Sequence, residues 1–250
     1  METEEEKKVQ ARLTRRALLW SATLVGAGLT GLTQFNKRAP KDSNGLPAIF
    51  DSTNRFNESV ARAVLPPGRG RDRSFAPGQA VEPRNNFHGN TPEIDLDAWR
   101  LDWQGRKISL AELKTLPEVT QVTELKCVEG WSTVVSWTGV RFSDFLKAFP
   151  DTRSSATEPA YVGLRSEPEG YEDDWYYVGI DLESMMHPQT LLAYGMNGKP
   201  LTPEHGAPLR LAIPHKYGIK NIKLITQIAL ASERPADYWA ELGYDWYAGL

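Results

Sequence analysis

The 250-residue chain has a single cysteine, Cys127, and that scarcity excludes several architectures at once. One thiol forms no internal disulfide and cannot by itself hold a structural zinc or an iron–sulfur cluster. No Cys-x-x-Cys-His signal for covalent haem is present, no Gly-rich dinucleotide fingerprint follows a strand, and no phosphate loop ends in Lys-Ser/Thr. An excess of positive charge is also lacking. The 29 Lys and Arg stand against 32 Asp and Glu, so no general basic field is offered to nucleic acid. No apolar run reaches the about 20 residues of a confident membrane-spanning helix.

The composition that remains is that of a globular protein, with 40% hydrophobic and 24% charged residues, long enough to bury a substantial core. Eight Trp and nine Tyr fill cores or line pockets. Three regions follow one another. In residues 1–40, Thr14-Arg15-Arg16 precedes a short Gly/Ala-rich apolar stretch, Ser21 to Leu32, which is the layout of a twin-arginine export signal or an N-terminal anchor. That route carries folded proteins and predicts a periplasmic protein, or one held at the outer face of the cytoplasmic membrane. Residues 41–83 are rich in Pro, Gly, Arg and Asp and read as an irregular linker or arm, with one short helix over 52–65. Ordered structure is expected over 84–250.

Within 84–250, strand and helix signals alternate without a repeat. Alternation over Trp99 to Trp103, with a turn at Gln104-Gly105, predicts a half-buried strand. Ser109 with Glu112 three residues on predicts a capped helix start. Strands are expected over 119–128, 160–164, 175–180, 209–213 and 221–230, and short helices over 142–149 and 182–186. The class is α+β, with mixed sheets and short helices.

Cys127 ends one of these strands. Three readings fit it: a small buried residue, a nucleophile with a His base nearby in space, or one thiolate to a metal whose other ligands are not protein.

Four segments, taken in order, resemble the molybdopterin-binding domain of the sulfite-oxidase family. They are Arg84-Asn85-Asn86-Phe87-His88-Gly89; Cys127-Val128-Glu129-Gly130-Trp131-Ser132; His187-Pro188-Gln189 through Asn197-Gly198; and Pro203-Glu204-His205-Gly206-Ala207-Pro208-Leu209-Arg210, continuing to Lys220-Asn221-Ile222-Lys223. The resemblance covers essentially all of residues 84–250. It implies a sulfite-oxidase-type fold and a molybdenum–molybdopterin cofactor with Cys127 as the thiolate ligand. Arg210, Lys220 and Lys223 would meet the pterin phosphate, joined by Asn221 and Ile222. Asn85, His88, Gly89, His205 and Ser166 would meet the ring system. Independently of the resemblance, Tyr176 or Tyr177 is the tyrosine expected near the metal as a proton donor.

Within the family, the Cys-Val-Glu-x-Trp-Ser form and the twin-arginine leader are most similar to the periplasmic reductases of methionine sulfoxide. No cation follows Cys127, so the substrate expected is neutral: oxidised protein or a small S-oxide. Two departures, His88-Gly89 in place of Tyr-Glu and His205 in place of Asn, are more similar to the sulfite-oxidising members. A sulfite dehydrogenase and a non-catalytic envelope-anchored binding domain are the alternatives. No haem belongs to this chain, so the resemblance implies a membrane haem protein or another electron carrier as partner.

Overall fold

A computed structural model describes residues 28, 30, 31, 33, 34, 37–41, 45–64, 73–84, 94–151, 157–166 and 176–249. The leader through residue 27, and the expected ligands Asn85, His88 and Gly89, lie outside the described residues. The chain divides into two compact units, 1–52 and 53–250. In the first, Lys41 and Pro47 form an isolated antiparallel bridge, and the Ala48 N–H donates to the Pro40 carbonyl at 2.8 Å. Helix α1 (Ala48–Val64) starts there and continues into the second unit, so it is longer than the short helix expected over 52–65. Among the described residues, no helix is long and apolar enough to cross a membrane.

Among the described residues, the second unit contains two five-stranded sheets. The first sheet uses β1 (Leu101–Trp103), β2 (Arg106–Ile108), β5 (Tyr161–Ser166), β6 (Tyr176–Asp181) and β10 (Gln227–Ala231), in the order β2-β1-β10-β5-β6. Among the described residues, the β1–β10 pair of this sheet is parallel and its other pairs are antiparallel. The second sheet is antiparallel: β3 (Glu118–Lys126), β4 (Ser132–Arg141), β7 (Leu191–Met196) and β8 (Lys199–Pro200), with β9 (Arg210–Ala212) also on β7. Short helices α2 (Leu110–Leu113), α3 (Phe142–Ala148), α4 (Leu182–Met185) and α5 (Tyr238–Glu241) connect or close the sheets.

Local signals explain several of these elements. The Ser109 hydroxyl accepts from the Glu112 N–H at 3.2 Å, while Glu112 accepts from the Ser109 N–H at 2.9 Å, the reciprocal cap that starts α2. Gln104 and Gly105, both at positive φ, turn β1 into β2. In α3, Phe142 and Phe145 are fully buried and stack on each other. Each contributes roughly 1.5–3 kcal/mol of apolar burial.

Two strands were not expected from the sequence, and one expected strand needs revision. The strands β4 and β7 are central, and β7 is buried along its whole length, so its sequence lacks the alternation that betrays a half-exposed strand. Conversely, no single strand runs over 221–230. Leu224 adopts φ +47 and the Asn221 side chain turns back to bond the Ile213 backbone, so the chain bends before β10 begins at Gln227.

Candidate cofactor site

The β3–β4 hairpin places Cys127. The two strands pair from Glu118↔Val140 to Lys126↔Ser132, which leaves 127–131 as the connecting loop. The Cys127 N–H donates to the Trp131 carbonyl at 2.9 Å, and the Gly130 N–H donates to the Cys127 carbonyl at 3.2 Å. Gly130 sits at φ +85, where a side chain would be strained, so glycine is what makes this loop tight. The thiol is half-buried. Its sulfur lies 3.9 Å from Glu129 Oε2, and that oxygen accepts from Trp131 Nε1 at 2.9 Å.

Burial, with the adjacent Glu129 carboxylate, pushes the Cys127 thiol up from its usual range. A nucleophilic cysteine needs the opposite shift. Among the described residues, the side-chain partner of Sγ is Glu129 rather than a His base. Coordination to a metal would hold the sulfur as thiolate despite its surroundings. No cluster of three or more His, Cys, Asp or Glu able to cage a metal exists among the described residues. The donor set therefore suits a metal that brings its other ligands with it.

The 3-10 turn Gly218–Lys220 packs on this loop. A Cβ on Gly218 would lie 3.3 Å from the Lys126 carbonyl oxygen and 3.7 Å from Cys127 Cα. Tyr176 reaches the same turn and donates to the Ile219 carbonyl at 2.5 Å. Ser166 is buried opposite Tyr176, at the same end of the β5–β6 ladder.

Asn221 then links the turn to β9. Its Oδ1 accepts from the Ile213 N–H at 2.9 Å, and its carbonyl accepts from Arg210 Nη2 at 3.2 Å. Ile222 contributes through its backbone: its carbonyl accepts from the Leu211 N–H at 2.9 Å, and its side chain is in the core. Arg210, His205, Asn221, Ile222 and Lys223 thus come together from two segments of chain.

The electrostatics of this group are unusual. Arg210 is 3% exposed and its guanidinium lies 4.5 Å over the Trp137 ring. Nη1 donates to the His205 carbonyl at 3.1 Å, while the buried Nε has no partner among the described residues. Among those residues no carboxylate pairs with it, and burial pulls the guanidinium down to about 10. Burial, reinforced by repulsion from Arg210, pulls the Lys223 ammonium down to about 7. The His205 ring bonds Glu82 through Nε2 at 3.1 Å, and its buried Nδ1 has no partner among the described residues. A buried cation without a counter-ion costs several kcal/mol. An anion placed against Arg210 would remove that cost, and a polar ring would satisfy His205. The residues present therefore fit a phosphate-bearing pterin.

The backbone that shapes this group is Gly206, at φ +89. Its absent Cβ would lie 2.6 Å from Lys223 Cβ and 2.8 Å from Lys223 Cα, so only glycine lets the His205 turn close on Lys223.

Two side chains expected at the site are committed elsewhere. Lys220 is buried, and its ammonium donates to Asp237 Oδ2 and to the Gly179 carbonyl. This is a correction: a lysine neutralised by a buried aspartate is a structural ion pair and is not aimed at a phosphate. Tyr177 donates to Glu241 Oε2 of α5, which pushes the phenol up to about 12, and it does not reach the Cys127 turn. Tyr176 does touch that turn, but its hydroxyl is held by the Ile219 carbonyl and burial pushes its pKa up. It positions the turn. Trp137 and Gly206 accompany the family motifs but were given no role from the sequence, and Glu82 and Asp237 were not singled out. Only Gly206, next to His205 in a turn-rich run, carried a local signal.

The chain's residues 88–239 match the oxidoreductase molybdopterin binding domain. A protein of Azospira oryzae, provisionally named protein-methionine-sulfoxide reductase subunit YedZ1, is 31% identical over 94% of this chain and 87% of its own length. The protein-methionine-sulfoxide reductase catalytic subunit MsrP of Xanthomonas axonopodis pv. citri is 41% identical over 91% of this chain and 73% of its own. The sulfane dehydrogenase SoxCD of Paracoccus pantotrophus shares the fold, with TM-score 0.52 and 18% identity over 64% of this chain and 47% of that one. The α+β architecture is thus of the sulfite-oxidase type, and the chain belongs to the oxidoreductase molybdopterin-binding family.

Proposed function

We propose that this protein is an exported molybdenum–molybdopterin reductase that removes the oxygen atom from a sulfoxide, with methionine sulfoxide in oxidised proteins as the preferred substrate. The observation that carries the choice of substrate is the Glu129 carboxylate, 3.9 Å from Cys127 Sγ and fixed there by Trp131 Nε1. A sulfite anion brought about as close to Glu129 would be repelled by roughly 1–4 kcal/mol, the lower figure for full solvent screening and the upper for partial screening. A neutral sulfoxide meets no such repulsion. The names of the two relatives point the same way.

The residues gathered at the site divide the work in this reading. Cys127 supplies the one protein thiolate. Arg210 and Lys223 neutralise the anionic tail, with Arg210 suited to two parallel hydrogen bonds. His205 Nδ1 and Ser166 meet the ring. Asn85, His88 and Gly89 belong to the same group by resemblance. Glu129 and Trp131 form a rim that rejects anions and offers an indole face to a thioether. The bound cofactor supplies two-electron oxygen-atom chemistry. Overall, sulfoxide, two electrons and two protons become thioether and water. The electrons come from a membrane haem protein or another carrier, and the site faces the periplasm, free or tethered by the leader.

The test is to purify the chain from cells that make the pterin, measure molybdenum, and assay methionine sulfoxide with an artificial donor and sulfite with an artificial acceptor. Stoichiometric metal and sulfoxide turnover are expected, both lost in Cys127→Ser. Turnover of sulfite alone would overturn the substrate; absence of molybdenum would overturn the whole reading.

A further inference from the structure

Helix α1 is oriented opposite to what burial energetics favours. Its charged side faces the protein. Glu58 is 7% exposed and accepts from Arg62 at 2.9 Å and from Arg234 at 2.8 Å. Arg62 stacks 4.4 Å over Tyr247 and lies 3.6 Å from Asp181, and Asn54 Nδ2 donates to the Tyr244 carbonyl at 3.4 Å. The opposite ridge, at i, i+4 and i+8, is Phe56, Val60 and Val64, which are 67%, 45% and 70% exposed. A surface helix ordinarily turns such a ridge inward. A contiguous exposed apolar ridge, held outward by ion pairs, marks a surface that docks on something else.

We propose that this ridge docks on an anionic lipid surface. Two observations select lipid over other occupants. The first is charge: residues 37–73 carry eight Lys and Arg against four Asp and Glu, in a chain whose formal net charge is -3. A net-positive stretch of chain that carries an apolar helical face is drawn to the headgroup region of an anionic bilayer. The same net excess disfavours bringing two copies of this stretch together. The second is continuity. The apolar stretch Ser21 to Leu32 precedes α1 in the chain. If it is retained in the membrane, it holds the ridge close to lipid and raises its effective concentration there. The proposal rests on the export reading for its biological setting, whereas its chemistry is independent of molybdenum and of the substrate. A docked ridge would hold the catalytic unit at the bilayer surface, where a membrane electron carrier resides.

The experiment uses the full holo chain with vesicles of phosphatidylethanolamine and phosphatidylglycerol. The variant Phe56→Ser/Val60→Ser/Val64→Ser changes only water-facing side chains, so its molybdenum content and its turnover of free methionine sulfoxide should match the parent. Its partition onto vesicles should fall about tenfold or more, and partition of the parent should weaken in high salt and on neutral lipid. A photo-crosslinking benzoylphenylalanine at position 60, in cells, identifies the occupant. Lipid adducts are expected. Equal partition of parent and variant would overturn the proposal. So would adducts solely to another protein or to a second copy, or no adduct. Loss of turnover with lipid docking intact would instead count against the reductase reading alone.

Discussion

Replacing Lys220 separates a structural lysine from a phosphate ligand. Its ammonium and the Asp237 carboxylate are 1% and 2% exposed. Asp237 also accepts from the Gly179 N–H at 3.1 Å and caps α5 through the Ala240 N–H at 3.1 Å. Burial pulls the Lys220 pKa down, and Asp237 opposes that pull. Lys220→Met leaves a desolvated carboxylate with only backbone donors, a change that costs about 3–5 kcal/mol. For a unit of this size that is roughly 6–20 °C in melting temperature, at about 2–4 °C per kcal/mol. Asp237→Asn should cost a similar amount by stranding the ammonium. Lys220→Met/Asp237→Leu should recover much of the loss, because neither charge is then left unpaired. The assay is thermal unfolding of the four proteins followed by circular dichroism, with molybdenum measured on the folded fraction. The reasoning is refuted if Lys220→Met melts with the parent yet loses its metal, since the lysine would then serve the cofactor and not the fold.

Three further outcomes are expected. Arg210→Ala should lower retention of molybdopterin about tenfold to a hundredfold, the weight of charge-assisted hydrogen bonds, with Arg210→Lys intermediate; pterin content after dialysis measures it. Gly206→Ala should destabilise by about 1–3 kcal/mol from its left-handed φ alone, and more from the 2.6 Å contact with Lys223, as read by urea unfolding together with loss of pterin. For pH, burial holds Lys216 at about 8 and Lys223 at about 7, below the about 10.4 of an unfolded lysine. Between those values the unfolded chain binds more protons. Stability of the cofactor-free protein should therefore rise with pH from neutrality toward pH ~10, by at most about 1.4 kcal/mol per pH unit for each lysine. Above that it should fall, because Tyr247, held up to about 12 by burial, must lose its proton to unfold favourably. A urea midpoint that declines steadily across the neutral to alkaline range would contradict this. Phosphate near Lys223 should flatten the rise in the holoprotein.

What was legible in the sequence is what short-range chemistry decides. The Ser109–Glu112 cap, the Gln104-Gly105 turn and the strand that leads into Cys127 each depend on neighbours within a few residues, and each is present, the strand ending one residue earlier at Lys126. The order of the four motifs sufficed to name the family, because the resemblance is carried by residue identity rather than by packing. Residue identity also nominated Arg210, His205 and Lys223 together, and the structure brings them into one group.

Only the tertiary structure decided which cations are neutralised. Lys220 and Lys223 are three residues apart and look equivalent in the chain, yet Lys220 meets Asp237 in the core while Lys223 meets Arg210 and the Glu204 carbonyl. That difference arises from segments far apart in sequence, and no local periodicity encodes it. The same holds for α1: its amphipathic pattern is readable, but its pattern does not say which face turns inward. The ion pairs of Glu58 and Arg62 with Arg234 and Asp181, more than a hundred residues away, turn the polar side to the protein and leave the apolar ridge to water.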